Sequence, residues 1–202
     1  MTLPDPSLPL AREADLARWI LLVAFVAVCA YTDLSRREIP DRFTKGAMAL
    51  GLLVQTYLGG LLPGGGWSAW VLQPSSLGPS LLDAFLGLAL GAGVLFLFYA
   101  RGGMGLGDVK MMGGVGALGG CSFCLRALLF ASFAGAVMAV AALARRGLLA
   151  AGIRGSLRIA TRRAATDLTD EQRRASELTI PFGAAIAAGT VAAWWYGIGR
   201  GG

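Results

Sequence analysis

Apolar residues in this chain gather into continuous runs, instead of alternating or recurring on one face of a helix, and short polar or glycine-rich segments separate the runs. Six such runs cover about residues 16–31, 46–62, 81–100, 109–120, 127–143 and 180–198. A helix crosses the ~30 Å hydrocarbon core of a bilayer with about 20 largely apolar residues, so the pattern predicts an all-α integral membrane protein with about six transmembrane helices. The fourth run is the shortest and is rich in glycine. The first has a signal-peptide-like charged flank, but it lacks a clean cleavage site and leads straight into charged residues, and it is read as a retained helix. Within it Arg18 is expected to snorkel and Trp19 to sit at the interface.

The whole chain, 1–202, reads as one membrane domain with an N-terminal tail (1–15) and a basic loop (145–179). The leucines and isoleucines after Arg145 recur at near-helical spacing, which suits a helix lying on the membrane surface. Residues 63–80 contain no lysine or arginine but hold Trp67 and Trp70, and read as an outside loop. Trp194, Trp195 and Tyr196 mark where the last span leaves the bilayer.

Composition strengthens this picture. Of 202 residues 55% are hydrophobic and 15% charged, well below the charged fraction of about a quarter in soluble domains. The 30 glycines suit close packing between helices in lipid. A net charge of +6 raises the question of a nucleic-acid partner, but the basic residues form no stripe interleaved with aromatics, and none is expected. They mark topology instead. Arg36, Arg37, Arg42 and Lys45 follow the first span, Arg101 and Lys110 the third, and most of the rest lie between Arg145 and Arg174 after the fifth. Cytoplasmic loops retain such residues, so both chain termini are placed outside, and Asp33 and Asp108 share the cytoplasmic face.

The chain has no histidine, which excludes a Ser-His-Asp triad, a Cys-His dyad and an HExxH zinc site. Cys29, Cys121 and Cys124 are too few for a disulfide framework, and the single CxxC of Cys121 and Cys124 suits packing or a small local disulfide better than a metal. Carboxylates remain. At a membrane edge they are costly and are functional candidates by default. Asp33, Glu38, Asp41 and Asp108 lie on the cytoplasmic side; Asp83 starts the third span on the other and reads as an interfacial structural residue. Glu38, beside Arg37, reads as a solvated loop charge, and Met104, Met111 and Met112 as helix packing. Asp108 has two readings, a helix cap or a catalytic acid. Two adjacent carboxylates cannot both ionise, so one can serve as base toward water while the other donates a proton, with no cofactor or metal. A coupled pair titrates jointly, and the two roles stay unassigned.

Gly105-Leu106-Gly107-Asp108-Val109-Lys110 resembles the GxGD motif of the type IV prepilin peptidases (peptidase family A24), aspartyl proteases that also resemble presenilin. Asp33-Leu34 followed by Ile39-Pro40 resembles the family's first-aspartate segment, and Ile180-Pro181-Phe182-Gly183 its last-helix signature. Asp41 stands where the family usually has asparagine, and is open as a third acid. Lys110 is open between tuning an aspartate, meeting substrate or lipid headgroups, and anchoring a helix end. The family's paired zinc-binding CxxC region has no counterpart here, so the chain resembles the short peptidase-only branch of the tight-adherence (Flp) pili.

The resemblance implies a GxGD intramembrane aspartyl protease fold, with Asp33 and Asp108 catalytic and Gly105, Gly107, Lys110, Ile39, Pro40, Asp41, Pro181 and Gly183 in supporting positions. It implies a multi-pass protein of the bacterial inner membrane that cuts prepilin leaders after a glycine at the cytoplasmic face. The substrate would be bound laterally, with the glycine loop 102–107 near the scissile bond. Membrane lipid is an expected partner, and a homo-oligomer is left open. Two rivals remain at this level: a presenilin-like protease acting within substrate helices, and a non-enzymatic transporter or scaffold that uses membrane-edge aspartates.

Overall fold

The computed structural model of the chain describes residues 9–36, 41–60, 80–101, 103–147 and 182–198. Among the described residues there are six helices and no strand: α1 (Pro9–Arg36), α2 (Asp41–Gly60), α3 (Leu81–Tyr99), α4 (Leu106–Gly119), α5 (Cys121–Arg145) and α6 (Phe182–Ile198). Each apolar run becomes one helix. The segments 63–79 and 148–181, including the expected surface helix, lie outside the described residues. Among the described residues three stretches, Leu16–Arg36, Leu81–Tyr99 and Cys121–Arg145, are long and apolar enough to cross a membrane.

Several helices overrun their apolar runs, because polar residues can continue a helix where its backbone leaves the hydrocarbon. Thus α1 extends through Asp33 to Arg36, and α2 starts at Asp41. The residues expected in a charged loop are mostly helix ends. At Ser80 the backbone is extended, and its hydroxyl accepts from the Asp83 N–H at 3.1 Å, an N-cap that sets the start of α3. Gly120 ends α4 and starts α5 at φ +81°, a left-handed conformation that glycine adopts without penalty, so two helices join with one residue between them.

The shortest of these helices is at the centre. α4 is about 21 Å long, and everything on it from Met111 to Gly119 is buried. Its glycines let neighbours press against its backbone. A Cβ on Gly116 would strike the backbone of Gly87 in α3, and one on Gly87 would strike Gly116. A Cβ on Gly51 of α2 would come within 2.7 Å of the Ala117 backbone, and one on Gly114 within 2.7 Å of the Phe25 ring of α1. On the far side, α5 and α6 cross at Ala131 and Gly189, where a Cβ would again meet backbone.

A buried polar network ties together the end of the bundle that the charge pattern places outside. Arg18 Nη1 donates to Gln55 Oε1 at 3.2 Å, and Gln55 Nε2 donates to the Leu118 carbonyl at 3.2 Å. Arg18 is 5% exposed and stacks 4.6 Å from the Trp19 ring, so it does not snorkel. Asp83, 7% exposed, accepts from the Cys121 N–H at 2.9 Å and caps α5 from α3; it is structural, as expected, but buried and not interfacial. Cys121 and Cys124 are free thiols, and Cys124 packs beside Gly91 of α3.

Gly116→Ala is expected to cost at least about 1–3 kcal/mol, the usual penalty of overpacking, because backbone itself must move. Gly93→Ala, with nothing within 4 Å of the new methyl, should change stability by less than about 0.5 kcal/mol. Thermal unfolding of the two purified variants in detergent checks the contrast.

Candidate active site

Four helix ends meet at the opposite pole of the bundle. These are the end of α1 and the starts of α2, α4 and α6, and each contributes a residue that the sequence marked out. Asp33 lies in the last turn of α1, half-buried. Its Oδ2 accepts from the backbone N–H of Gly183 at 3.0 Å. That N–H belongs to the first turn of α6, where backbone donors have no partner within the helix and the helix dipole is positive. A Cβ on Gly183 would lie 2.7 Å from the same oxygen, so glycine is what leaves room for the carboxylate. Thr32 and Ser35, on either side, turn their hydroxyls back to carbonyls of the preceding turn and leave Asp33 to face the other helices.

Asp108 is the third residue of α4 and is 9% exposed. It stands ahead of the apolar stretch that starts at Val109, outside the region read as a span. Burial, with the Asp33 carboxylate nearby, pushes its carboxyl up to about 6, against a hydrogen bond from the Gly105 backbone that acts the other way. Asp33 and Asp108, separate in sequence, therefore form one electrostatic unit. Gly105 caps α4 with extended backbone and no side chain, and Gly107 lies in the same first turn. The approach to Asp108 is thus built from backbone.

Asp41 and Lys110 resolve together. Lys110 Nζ donates to Asp41 Oδ1 in a short charged hydrogen bond, and Lys45 lies 3.5 Å from the other oxygen. The Lys110 hydrogen bond chiefly, with help from Lys45, holds the Asp41 carboxyl below the usual range. Asp41 is thus an ionised clamp between the starts of α2 and α4, with both acceptor oxygens facing cations. Lys110 tunes an aspartate, but the aspartate is Asp41. Ile39, Pro40, Gly102 and Pro181 lie outside the described residues.

Sequence reasoning picked out Gly183 but not its job, because a backbone donor leaves no mark in the side-chain pattern. It missed the buried Gln55, whose signal was an amide within an apolar run. Among the described residues no cluster of metal-ligating side chains occurs.

The model of the type IV leader peptidase family matches residues 20–140, the stretch that holds both aspartates and the glycine motif. The chain belongs to the type IV leader peptidase family. It is therefore a peptidase, and its apolar helices make it a membrane-embedded one. No curated protein and no solved structure matches it significantly.

Two substitutions separate the roles at this pole. Gly183→Ala forces the Asp33 carboxylate to move, and displacement on the scale of 1 Å costs about 100-fold in turnover, so cleavage should fall by about 10- to 100-fold while the amount of inserted protein is unchanged. Asp41→Asn keeps a side-chain oxygen as acceptor for Lys110 and should retain cleavage within a few-fold. Cleavage rates of both variants, normalised to protein in the membrane, check this; abolition by Asp41→Asn would make Asp41 a reacting acid.

Proposed function

We propose that the chain is a prepilin leader peptidase that cuts the leader of type IV-like, Flp-type prepilins at the cytoplasmic face of the bacterial inner membrane, with Asp33 and Asp108 as its catalytic pair. The observation that carries this reading is the electrostatic coupling of Asp108 to Asp33 in a family of leader peptidases. Burial and the neighbouring Asp33 carboxylate raise Asp108 to about 6, so it holds a proton more readily than an exposed carboxyl does.

In this mechanism the proton resides on Asp108, where burial favours the neutral acid. Asp33, oriented by the Gly183 N–H, accepts a proton from a water molecule lying between the two carboxyls. The resulting hydroxide equivalent attacks the scissile carbonyl carbon as Asp108 donates its proton to the carbonyl oxygen. The tetrahedral diol then collapses: the C–N bond breaks, the amine leaves with the proton taken up by Asp33, and a diol proton returns to Asp108. The atoms balance as addition of one water across one peptide bond, with no covalent enzyme intermediate and no cofactor.

Placement of the pair at a membrane edge fits a substrate with an extended polar leader before the cut and a membrane helix after it. The basic residues Arg36, Arg42, Lys45 and Arg101 near the same pole favour a cytoplasmic orientation. An asparagine-like role for Asp41 as an acceptor, here ion-paired with Lys110, is consistent with the family motif it departs from.

The test is a substrate panel in membranes. A Flp-type prepilin with a glycine-ended leader should be cut once, after that glycine, and ordinary transmembrane helices without a leader should stay intact. Cleavage inside the ordinary helices would favour the presenilin-like alternative. An intact prepilin together with ion flux that depends on the two aspartates would favour the transporter.

A further inference from the structure

Beyond the reacting pair, the surface of the bundle contains an apolar groove of about 830 Å³ between α1 and α6, closed along one edge by Phe130 of α5. Val26 and Ala27 form one wall and Ala187, Ala188 and Val191 the other, with Trp195 towards the far end. Its position relative to the site is fixed by helix geometry. Val26 precedes Asp33 by about two turns and lies on the same face of α1, roughly 10 Å along the axis. Ala187 follows Gly183 by about one turn of α6, roughly 6 Å along the axis. The two helices that form the groove are thus the two joined at its cytoplasmic end by the Gly183 hydrogen bond to Asp33.

We infer that this groove holds the membrane helix of the substrate, which lies along α1 and α6 with its polar end delivered to Asp33; the inference rests on the leader-peptidase reading. Ala27, Ala187, Ala188 and Ala192 allow a second helix backbone to approach closely, the way helices associate in lipid, where no hydrophobic driving force brings them together. The lined stretch of α6, Ala187 to Tyr196, extends roughly 13 Å, so the contact covers nearly half of a ~30 Å hydrocarbon core. A helix seated between α1 and α6 points its cytoplasmic end at the Gly183–Asp33 contact, about one to two turns beyond the groove residues, and that direction is what singles out a substrate helix over a lipid chain. A smaller groove of about 310 Å³ between α1 and α2, lined by Leu50 and Phe43 among others, serves as a comparison surface.

Ala188 and Val191 are exposed, so bulky substitutions there do not disturb the bundle. Ala188→Trp and Val191→Trp should each raise KM for a membrane-anchored prepilin about 10-fold or more with kcat unchanged, and Leu50→Trp in the smaller groove should leave both unchanged. A water-soluble leader peptide without the helix should be cut equally by all four proteins, wild type included. A photo-crosslinker at position 188 should capture the helix of the anchored substrate. Unchanged KM in Ala188→Trp and Val191→Trp, or crosslinking to lipid alone, overturns the inference while wild-type cleavage keeps the leader-peptidase reading intact. Failure of the wild type to cut the anchored prepilin overturns that reading, and the inference with it.

Discussion

Backbone-to-backbone contact around α4 is the constraint on which the rest of the structure depends. In lipid, helices gain little from burying apolar surface against one another, and association relies on close packing and on polar contacts. The Gly87–Gly116 crossing and the Gly51–Ala117 contact bring α3 and α2 against α4 at distances that any side chain would prevent. A helix packed on all sides in this way holds Asp108 in a shielded position, and the shielding is the main cause that pushes its carboxyl up to about 6. Glycine content, close packing and the raised Asp108 carboxyl are one chain of cause.

The two poles of the bundle show opposite uses of polar residues. At one, Arg18, Gln55, Asp83 and Ser80 are spent on each other and on helix ends: the amide reaches the Leu118 carbonyl, and the carboxylate caps α5. Buried hydrogen bonds of this kind fix the helix ends relative to one another. At the other pole the described contacts are arranged differently. Asp33 takes a backbone hydrogen bond, its charge acts on Asp108, and the neighbouring acid, Asp41, is occupied by Lys110 and Lys45. Of the three described carboxylates near this pole, Asp41 is the one ion-paired with lysines.

The helices, and the nearness of Asp33 to Asp108, could be read from the chain itself. Run length located the six helices of the described residues, and arginine placement put Asp33 and Asp108 at one pole before any contact was known. What could not be read depends on partners far apart in sequence. Arg18 looked like a snorkelling residue because nothing local reveals that Gln55 waits on the next helix. Asp41 looked like a spare acid because Lys110 is 69 positions away. Gly183 appeared only as part of a motif, since its contribution is an N–H and the absence of a methyl group. Helix ends were misjudged for a simpler reason: apolarity reports where lipid stops, whereas the helix continues as long as its hydrogen bonds do.

Membership of the type IV leader peptidase family fits a site with two carboxylates and a chain without histidine. The central claim is that cleavage needs both aspartates and no other acid at that pole. It is tested most directly by measuring prepilin processing in membranes that contain equal amounts of wild type, Asp33→Asn or Asp108→Asn. Loss of processing in both variants, with normal insertion, is the predicted result. Full processing by either one would contradict it.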